Sequence, residues 1–329
     1  MFDTLNELLL PVSIWFQQAD PWLIAIMKGF TFLGNVEFYL LIMPALYWSI
    51  QPKLGIRLAV ILLISGAVNS ILKLTFQTPR PYWISERVIG HTAENSYGFP
   101  SGHAQNAAGI WGLLAAAAQT PTLKFLAAAG IILIGLSRII LGVHFVHDVF
   151  FGWLVGGLLL AGYFRVEQPL ISWIQKLSPA RKVQGLVLFC MGGILLAGLI
   201  FHPLSPPEIP AGWIPGPGGS ASPYNFDNLL TTLGAFMGLG IGLIVLDRRF
   251  VFLGEGSLKD RLLRYPVGLI GVVLLWAGLD QIFPDQLTLA SLTFRFLRYT
   301  LIGLWISYGA PQIFAQLGLA TLQPREELT

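Results

Sequence analysis

The sequence is short of charge and nearly devoid of cysteine. Only 11% of its 329 residues are Asp, Glu, Lys or Arg, whereas a soluble domain carries about 25%. Its one cysteine, Cys190, excludes a disulfide within the chain. No basic run with interleaved aromatic residues occurs, so the net charge of +3 does not indicate a nucleic-acid partner. The N-terminus has no basic stretch before an apolar core, which argues against a cleavable signal peptide.

Apolar residues are abundant instead, at 54% of the chain, and the mean hydropathy is +0.68. A helix needs about 20 mostly apolar residues to cross a bilayer. The sequence therefore predicts an all-α fold, a polytopic transmembrane helical bundle with nine spans, or ten if residues 8–33 also cross. Pairs such as Gly152 and Gly156 suit close helix approach in lipid. The nine predicted spans are residues 36–50, 56–72, 103–118, 123–141, 145–164, 184–201, 229–246, 266–282 and 296–315.

The pattern divides the chain into three regions. Residues 1–34 are apolar but interrupted by Pro11 and Asp20, and we interpret them as an N-terminal amphipathic segment lying in the membrane interface. Residues 35–166 hold the first five clear spans and are predicted to be the catalytic core. Residues 167–329 form a four-span C-terminal extension to which the sequence assigns no role.

Three polar patches break the apolar pattern within residues 73–148. The first, K-L-T-F-Q-T-P-R-P, begins at Lys73; the second, P-S-G-H, ends at His103; the third, S-R-I-I-L-G-V-H-F-V-H-D, ends at Asp148. Together they hold three cations, three histidines and one carboxylate. Because consecutive spans run in opposite directions, the helix ends that carry these patches meet at one membrane face. The sequence therefore predicts a single polar site there.

The distribution of Lys and Arg indicates which face this is. Thirteen of them fall in loops on the opposite side of the membrane, against three on the patch side besides the patch cations. Cytoplasmic loops are enriched in Lys and Arg, so the patch side is expected to be extracytoplasmic. We expect an integral protein of the bacterial cytoplasmic (inner) membrane, with its site facing outward.

The cations of the patches predict a phosphate-binding site. Lys73, Arg80 and Arg138 would repel one another unless an anion lay between them. Guanidinium groups bind phosphate oxygens in pairs, and Lys adds a point charge. Ser101 and Gly102 precede a helix start, so their backbone N–H groups can point at the same anion.

The histidines and the carboxylate predict phosphoryl chemistry. Asp148 lies four residues after His144, so it can accept from one imidazole nitrogen and leave the other free to attack. His103 arrives from another helix and can protonate the leaving oxygen and later activate water. A zinc site built from His144, His147 and Asp148 is disfavoured because three cations converge there. No metal and no cofactor are expected.

The three patches, at these spacings, resemble the signature of the type-2 phosphatidic acid phosphatase family. This family also resembles glucose-6-phosphatase-like enzymes and is related to the vanadium haloperoxidases. The resemblance covers roughly residues 37–165. It implies that the histidine at 144 forms a phosphohistidine, that Asp148 orients it, and that His103 is the acid. It also implies that the remaining motif residues, Lys73, Arg80, Ser101, Gly102 and Arg138, bind phosphate.

The expected function is an integral membrane phosphatase acting on a phosphate monoester or pyrophosphate. A phosphorylated lipid is the expected substrate, with undecaprenyl pyrophosphate, phosphatidic acid and phosphatidylglycerol phosphate as candidates. Three alternatives stay open at this point. They are phosphotransfer to an acceptor other than water, glucose-6-phosphatase-like action on a soluble phosphate, and, from a different class, a transporter or flippase.

Two long connections lie on the patch side. In the first, residues 74–100, we interpret His91 and Glu94 as solvated loop residues, with contact to a substrate headgroup as the alternative. Trp83 and Tyr97 are interpreted as interfacial aromatics. The second, residues 202–228, contains seven prolines and four glycines and no Lys or Arg. It is either a plain outer connector or a wall of the site entrance.

Overall fold

The structure, a computed structural model, describes residues 2–201, 204, 208–213, 226–248, 250–283 and 288–324. Within these residues the chain is mostly helical, with one pair of short strands. The chain folds as two compact units. The polar patches lie in the first unit, which comprises the described parts of residues 1–39, 65–165 and 205–226. The second unit comprises the described parts of residues 40–64, 166–204 and 227–329.

Many of the helices are joined by short turns, but residues 85–101 form a long connection between the helices Pro81–Ile84 and Gly102–Ala117. The two strands pair antiparallel with Val251 opposite Gln323. One π-helical turn, Leu46–Ile50, continues α3, and another, Trp305–Gly309, joins α12 to α13. The elements are α1 (Phe2–Phe16), α2 (Pro21–Phe32), α3 (Val36–Ala45), α4 (Pro52–Phe76), α5 (Pro81–Ile84), α6 (Gly102–Ala117), α7 (Pro121–Ile140), α8 (Val146–Gln175), α9 (Pro179–Ile200), α10 (Phe226–Asp247), β1 (Phe250–Phe252), α11 (Leu258–Asp280), α12 (Leu289–Leu304), α13 (Ala310–Gln316) and β2 (Leu322–Pro324).

Each of the nine predicted spans coincides with a helix. Seven helical stretches of the described chain are long and apolar enough to cross a membrane. The other two predicted spans correspond to shorter helices: α6 has 16 residues, and α3 has 10 before its π-helical turn. The number of nine or ten spans therefore stays a prediction. The strand pair β1–β2 is a small addition that the all-α prediction did not contain.

Several helices begin at capping residues that the sequence shows plainly. Thr120 accepts the Leu123 N–H at 3.3 Å at the start of α7, and Ser178 accepts the Arg181 N–H at 3.4 Å at the start of α9. A proline follows each cap, where its missing N–H costs nothing. These caps explain why α7 begins directly after the short turn that follows α6, and why α9 begins directly after the short turn that follows α8.

Close packing of α8 against α6 supports the site in the first unit. A Cβ atom at Gly156 would lie 2.2 Å from the Gln105 carbonyl oxygen, and one at Gly152 would lie 2.6 Å from that of Ser101. The two glycines therefore let α8 touch the backbone of α6, as their spacing predicted. On another side, α2 packs against α7, so the N-terminal segment joins this unit.

The second unit is organised around a buried arginine. Arg264 is fully buried and donates to the carbonyl oxygens of Trp48 at 3.1 Å, Gly254 at 2.8 Å and Leu319 at 2.8 Å. These carbonyls satisfy a guanidinium that would be costly to bury without acceptors. The arginine thereby ties three separate segments of this unit to α11.

Candidate active site

Two of the cations sit at helix ends. Lys73 lies in the last turn of α4 and Arg138 in the last turn of α7, where positive charge faces the exposed carbonyls favourably. Beyond α7, Gly142 has φ +72°, a left-handed conformation that reverses the chain. The reversal lets the N–H groups of Val143 and His144 both donate to the Arg138 carbonyl at 3.2 Å. The glycine in the third patch thus brings His144 back beside Arg138.

The histidine–aspartate pair forms as predicted, although His144 lies just before α8 rather than on it. The His144 Nδ1 atom is 3.2 Å from Asp148 Oδ2. The same carboxylate oxygen accepts the Phe145 N–H at 2.9 Å, so Asp148 also holds the start of α8. A carboxylate accepts from N–H, which leaves the lone pair of His144 on Nε2.

His147 lies on the other side of the same carboxylate. Its Nε2 atom is 3.1 Å from Asp148 Oδ1, and its ring stacks between Phe99 and Phe145. The spacing of the third patch offered no role for this residue. Its contact shows that both oxygens of Asp148 face an imidazole. Among the residues that the structure describes, no three His, Cys, Asp or Glu side chains are grouped so that they could hold a metal ion.

Arg80 lies at the centre of the site. Its Nη1 atom donates to the Val143 carbonyl at 2.9 Å and lies 3.1 Å from His144 Nε2. Its Nε atom donates to the Ser96 carbonyl at 2.7 Å. The guanidinium is therefore fixed in position directly beside the imidazole nitrogen that carries the lone pair.

The other two cations converge on the same place. Lys73 donates to the Tyr97 carbonyl, and its Nζ atom is 3.4 Å from the Gly98 carbonyl. Arg138 is buried and donates through Nη1 to the Thr31 hydroxyl. In the described part of the chain, the Arg138 Nε–H has no hydrogen-bond acceptor. A buried donor without a partner is costly, so this atom is suited to a ligand oxygen.

Glu94 is the largest departure from the sequence analysis. Its interpretation as a solvated loop residue is wrong, because the side chain is only 17% exposed and forms ion pairs with both arginines. Its Oε2 atom is 3.4 Å from Arg80 Nη2, and its Oε1 atom pairs with Arg138. Two buried guanidiniums require a countercharge, which this loop supplies.

The second patch is held by a buried amide network. Asn69 on α4 donates to the Pro100 carbonyl at 3.2 Å and to Gln105 Oε1 at 2.9 Å. A Cβ atom at Gly102 would lie 2.9 Å from Asn69 Oδ1, so a side chain at this position would have to displace the Asn69 amide. Ser101 is buried and caps α6. The sequence analysis placed Ser101 and Gly102 at this helix start. It missed Asn69 and Gln105, although each is an amide within a predicted apolar span, which was the signal that could have revealed them.

The N-terminal segment contributes to the site as well. The His103 Nε2 atom is 2.8 Å from Asn35 Oδ1. An amide oxygen accepts a hydrogen bond, so Asn35 favours the tautomer of His103 with its proton on Nε2. Thr31 accepts from Arg138 in a similar way. Thr31 and Asn35, which lie at the end of the N-terminal segment and just after it, therefore both contact side chains of the polar patches. The sequence analysis missed both, because neither has a charge or a motif to mark it.

The aromatic residues of the first connection are buried rather than interfacial. Trp83 and Tyr97 are 1% and 4% exposed, and the Arg80 guanidinium lies 5.9 Å from the centre of the Trp83 ring. Trp213, from the second connection, packs on Trp83 with ring centres 5.3 Å apart. The remainder of the hypothesis about residues 202–228 concerns positions that lie mostly outside the described residues.

The chain matches known families and known proteins. Residues 54–172 match the PAP2 superfamily, and residues 230–322 match the PAP2 superfamily phosphatase transmembrane extension. Phosphatidylglycerophosphatase B of Bacillus subtilis (strain 168) is 32% identical over 153 residues, which are 43% of this chain and 73% of that protein. Glucose-6-phosphatase 3 of Bos taurus is 26% identical over 324 residues, which are 87% of this chain and 88% of that protein.

A solved structure also aligns with the chain. The crystal structure of the first transmembrane PAP2 type phosphatidylglycerolphosphate phosphatase from Bacillus subtilis shares 25% sequence identity, with a TM-score of 0.44. The alignment covers 51% of this chain and 87% of that one.

These matches define the class of protein: it is an integral membrane phosphatase, a phosphoric ester hydrolase. The chain belongs to the PAP2 superfamily, and its C-terminal half carries the transmembrane extension of that superfamily. The resemblance drawn from the three patches is thereby confirmed.

Proposed function

We propose that the protein hydrolyses phosphate monoesters or pyrophosphates in two steps, with His144 as the nucleophile and without a metal ion. The observation that carries the proposal is the position of His144 between Asp148 on Nδ1 and Arg80 on Nε2. Burial, followed by the charges of Arg80, Lys73 and Arg138, lowers the pKa of His144 well below its usual range. The imidazole is therefore neutral at physiological pH, as a nucleophile must be.

In the first step, the Nε2 lone pair of His144 attacks phosphorus and the bond to the leaving oxygen breaks. His103 in its doubly protonated form passes the Nδ1 proton to that oxygen, while Asn35 accepts the Nε2–H and orients the ring. Asp148 stabilises the positive charge that develops on the imidazole. The three cations stabilise the oxygens of the five-coordinate phosphorus, the task that a metal ion performs in many phosphoryl transfers.

In the second step, His103 removes a proton from water, and the resulting hydroxide attacks the phosphohistidine. The N–P bond breaks, phosphate leaves, and His144 is neutral again with its lone pair on Nε2. The same histidine thus acts as acid and then as base, which returns the site to its starting protonation.

We propose a lipid phosphate as the substrate class. Lys73 and Arg138 lie in the last turns of helices that are long and apolar enough to cross a membrane, which supports a substrate whose phosphate lies at the level of the lipid headgroups. The similarity to phosphatidylglycerophosphatase B supports this class. A soluble sugar phosphate is the second candidate, because the similarity to glucose-6-phosphatase 3 extends over 87% of the chain.

Phosphate release by the purified protein tests the reaction and the substrate together. We expect faster turnover of phosphatidylglycerol phosphate, phosphatidic acid or undecaprenyl pyrophosphate than of glucose 6-phosphate. Vanadate, which adopts the five-coordinate geometry, should inhibit, and EDTA should have no effect. Activity that disappears in EDTA and returns with zinc or magnesium would refute the metal-free mechanism. Phosphorylation of an added alcohol at the expense of phosphate release would indicate phosphotransfer instead.

We further propose that the site faces outward, on the basis of the thirteen Lys and Arg residues in the opposite loops. Single cysteines at Ile89, in the first connection, and at Ala180, at the start of α9, test this. Both positions are exposed, and the native Cys190 is buried. In intact bacterial cells, a membrane-impermeant thiol reagent should label the cysteine at 89 and not the cysteine at 180. Labelling of both, or of 180 alone, contradicts the assignment.

A further inference from the structure

The Glu94 carboxylate lies where the phosphate-binding groups converge. It pairs with Arg80 through one oxygen and with Arg138 through the other. Under the proposed function these two guanidiniums bind phosphate oxygens. A phosphate group and the Glu94 carboxylate therefore require the same donors, and one must leave for the other to bind.

The charges around the site indicate which anions can displace this carboxylate. In their ordinary ionised forms, Lys73, Arg80 and Arg138 supply three positive charges, and Asp148, which lies 3.2 Å from His144, supplies one negative charge. Without Glu94, two positive charges are left over, which match a phosphomonoester dianion. With Glu94 in place only one is left over. A singly charged phosphodiester that replaced Glu94 would leave the same one positive charge over as Glu94 does. Its exchange with Glu94 therefore gains no charge pairing, whereas a dianion pairs one further buried cation.

We propose that Glu94 is a specificity-determining residue: it competes for Arg80 and Arg138 and so reserves the site for doubly charged phosphate groups over phosphodiesters. The proposal rests on the proposed function of the same site. It addresses a problem specific to an enzyme at a bilayer surface. Phospholipid headgroups there are phosphodiesters, they are present in large excess over any phosphomonoester, and cationic sites attract them.

The surrounding contacts allow Glu94 to leave without dismantling the site. Arg80 stays anchored by the Ser96 carbonyl at 2.7 Å and by the Val143 carbonyl at 2.9 Å. Arg138 keeps its contact with the Thr31 hydroxyl. Within the described chain, the carboxylate is therefore one of several partners of Arg80 and one of two partners of Arg138.

The carboxylate is expected to be ionised in the neutral pH range. Burial by itself raises its pKa, but Arg138 and Arg80 outweigh burial and hold the pKa of Glu94 at about 2. The competition is therefore expected to be independent of pH across the neutral range.

The isosteric substitution Glu94→Gln tests the proposal, with Glu86→Gln as the matched control. Glu86 is an exposed carboxylate of the same connection, so the control removes the same charge from the same loop. Inhibition constants for orthovanadate and for diethyl phosphate are measured in detergent, with nitrophenyl phosphate as substrate. In Glu94→Gln, diethyl phosphate should bind at least about tenfold more tightly. The reason is that the Glu94 carboxylate no longer competes with it for the two arginines. The vanadate constant should change less, and Glu86→Gln should change neither.

A second arm uses the membrane itself. Activity on a phosphomonoester is compared in vesicles with and without phosphatidylglycerol, a singly charged phosphodiester. Phosphatidylglycerol should inhibit Glu94→Gln more strongly than wild type or Glu86→Gln.

Two results overturn the proposal. One is an unchanged ratio of the diester and vanadate constants in Glu94→Gln. The other is weaker binding of both inhibitors, which would mean that Glu94 only holds the guanidiniums in place.

If Glu94→Gln does not fold, Glu94→Asp replaces it, because its shorter side chain loosens the same ion pairs. Glu94→Asp is expected to shift the ratio of the two inhibition constants in the same direction. An unshifted ratio counts against the proposal. Wild-type protein that binds no vanadate would instead refute the proposed function.

Discussion

Replacing His144 with alanine is expected to lower the rate of phosphate release by about 10⁴-fold or more. Among the described residues, this imidazole alone has a lone pair beside Arg80, at 3.1 Å, and a carboxylate on its other nitrogen, at 3.2 Å. Under the proposed mechanism, its loss removes the atom that accepts the phosphoryl group. The cations remain, because Arg80 keeps its contact with the Val143 carbonyl. Initial rates and vanadate binding, measured on the same preparation, check both statements.

The control for this substitution is His91→Ala, which removes an imidazole from the first connection rather than from the motif. We expect His91→Ala to retain activity, and His144→Ala to unfold at a temperature close to that of wild type. A His144→Ala protein that folds and still releases phosphate at an appreciable fraction of the wild-type rate would refute the nucleophile assignment.

Replacing Gly156 with leucine is expected to damage both stability and activity. A Cβ atom there would lie 2.2 Å from the Gln105 carbonyl oxygen and 2.8 Å from the Ala108 side chain. Since α6 cannot accommodate it without moving, the destabilisation should be about 1–3 kcal/mol or more. The start of α6 carries Ser101 and His103, and a displacement of about 1 Å in a catalytic group can reduce the rate roughly 10²-fold.

Gly157→Leu is the matched control on the same helix. A Cβ atom at Gly157 meets nothing within 4 Å, and the residue is exposed. Thermal unfolding in detergent and kcat are measured for both variants. We expect Gly157→Leu to behave like wild type. Equal losses in the two variants would show that leucine disturbs α8 itself rather than its contact with α6.

The local features of this protein were determined by its sequence. The Thr120–Pro121 and Ser178–Pro179 dipeptides mark the starts of α7 and α9. Each predicted apolar span overlaps a helical stretch of the structure. The alternation of those spans brings Lys73, Arg138 and His103 to the same end of the first unit. The spacing of His144 and Asp148 produces their contact, and the spacing of Gly152 and Gly156 produces the close approach to α6. Each of these features depends on the spacing of residues within one helix or one turn, or on the order of neighbouring helices.

The partners of the buried charges were decided only by the tertiary structure. Glu94 looks like any loop carboxylate in the sequence, but the irregular path of residues 77–100 carries it between two arginines. That path depends on distant contacts, such as those of Gly98 and Phe99 with Thr78. Asn35 reaches His103 in a comparable way, across 68 positions of the chain. A buried charge or polar group must find a partner, but its chemistry does not specify which of many residues comes close enough. Packing of the whole unit makes that choice.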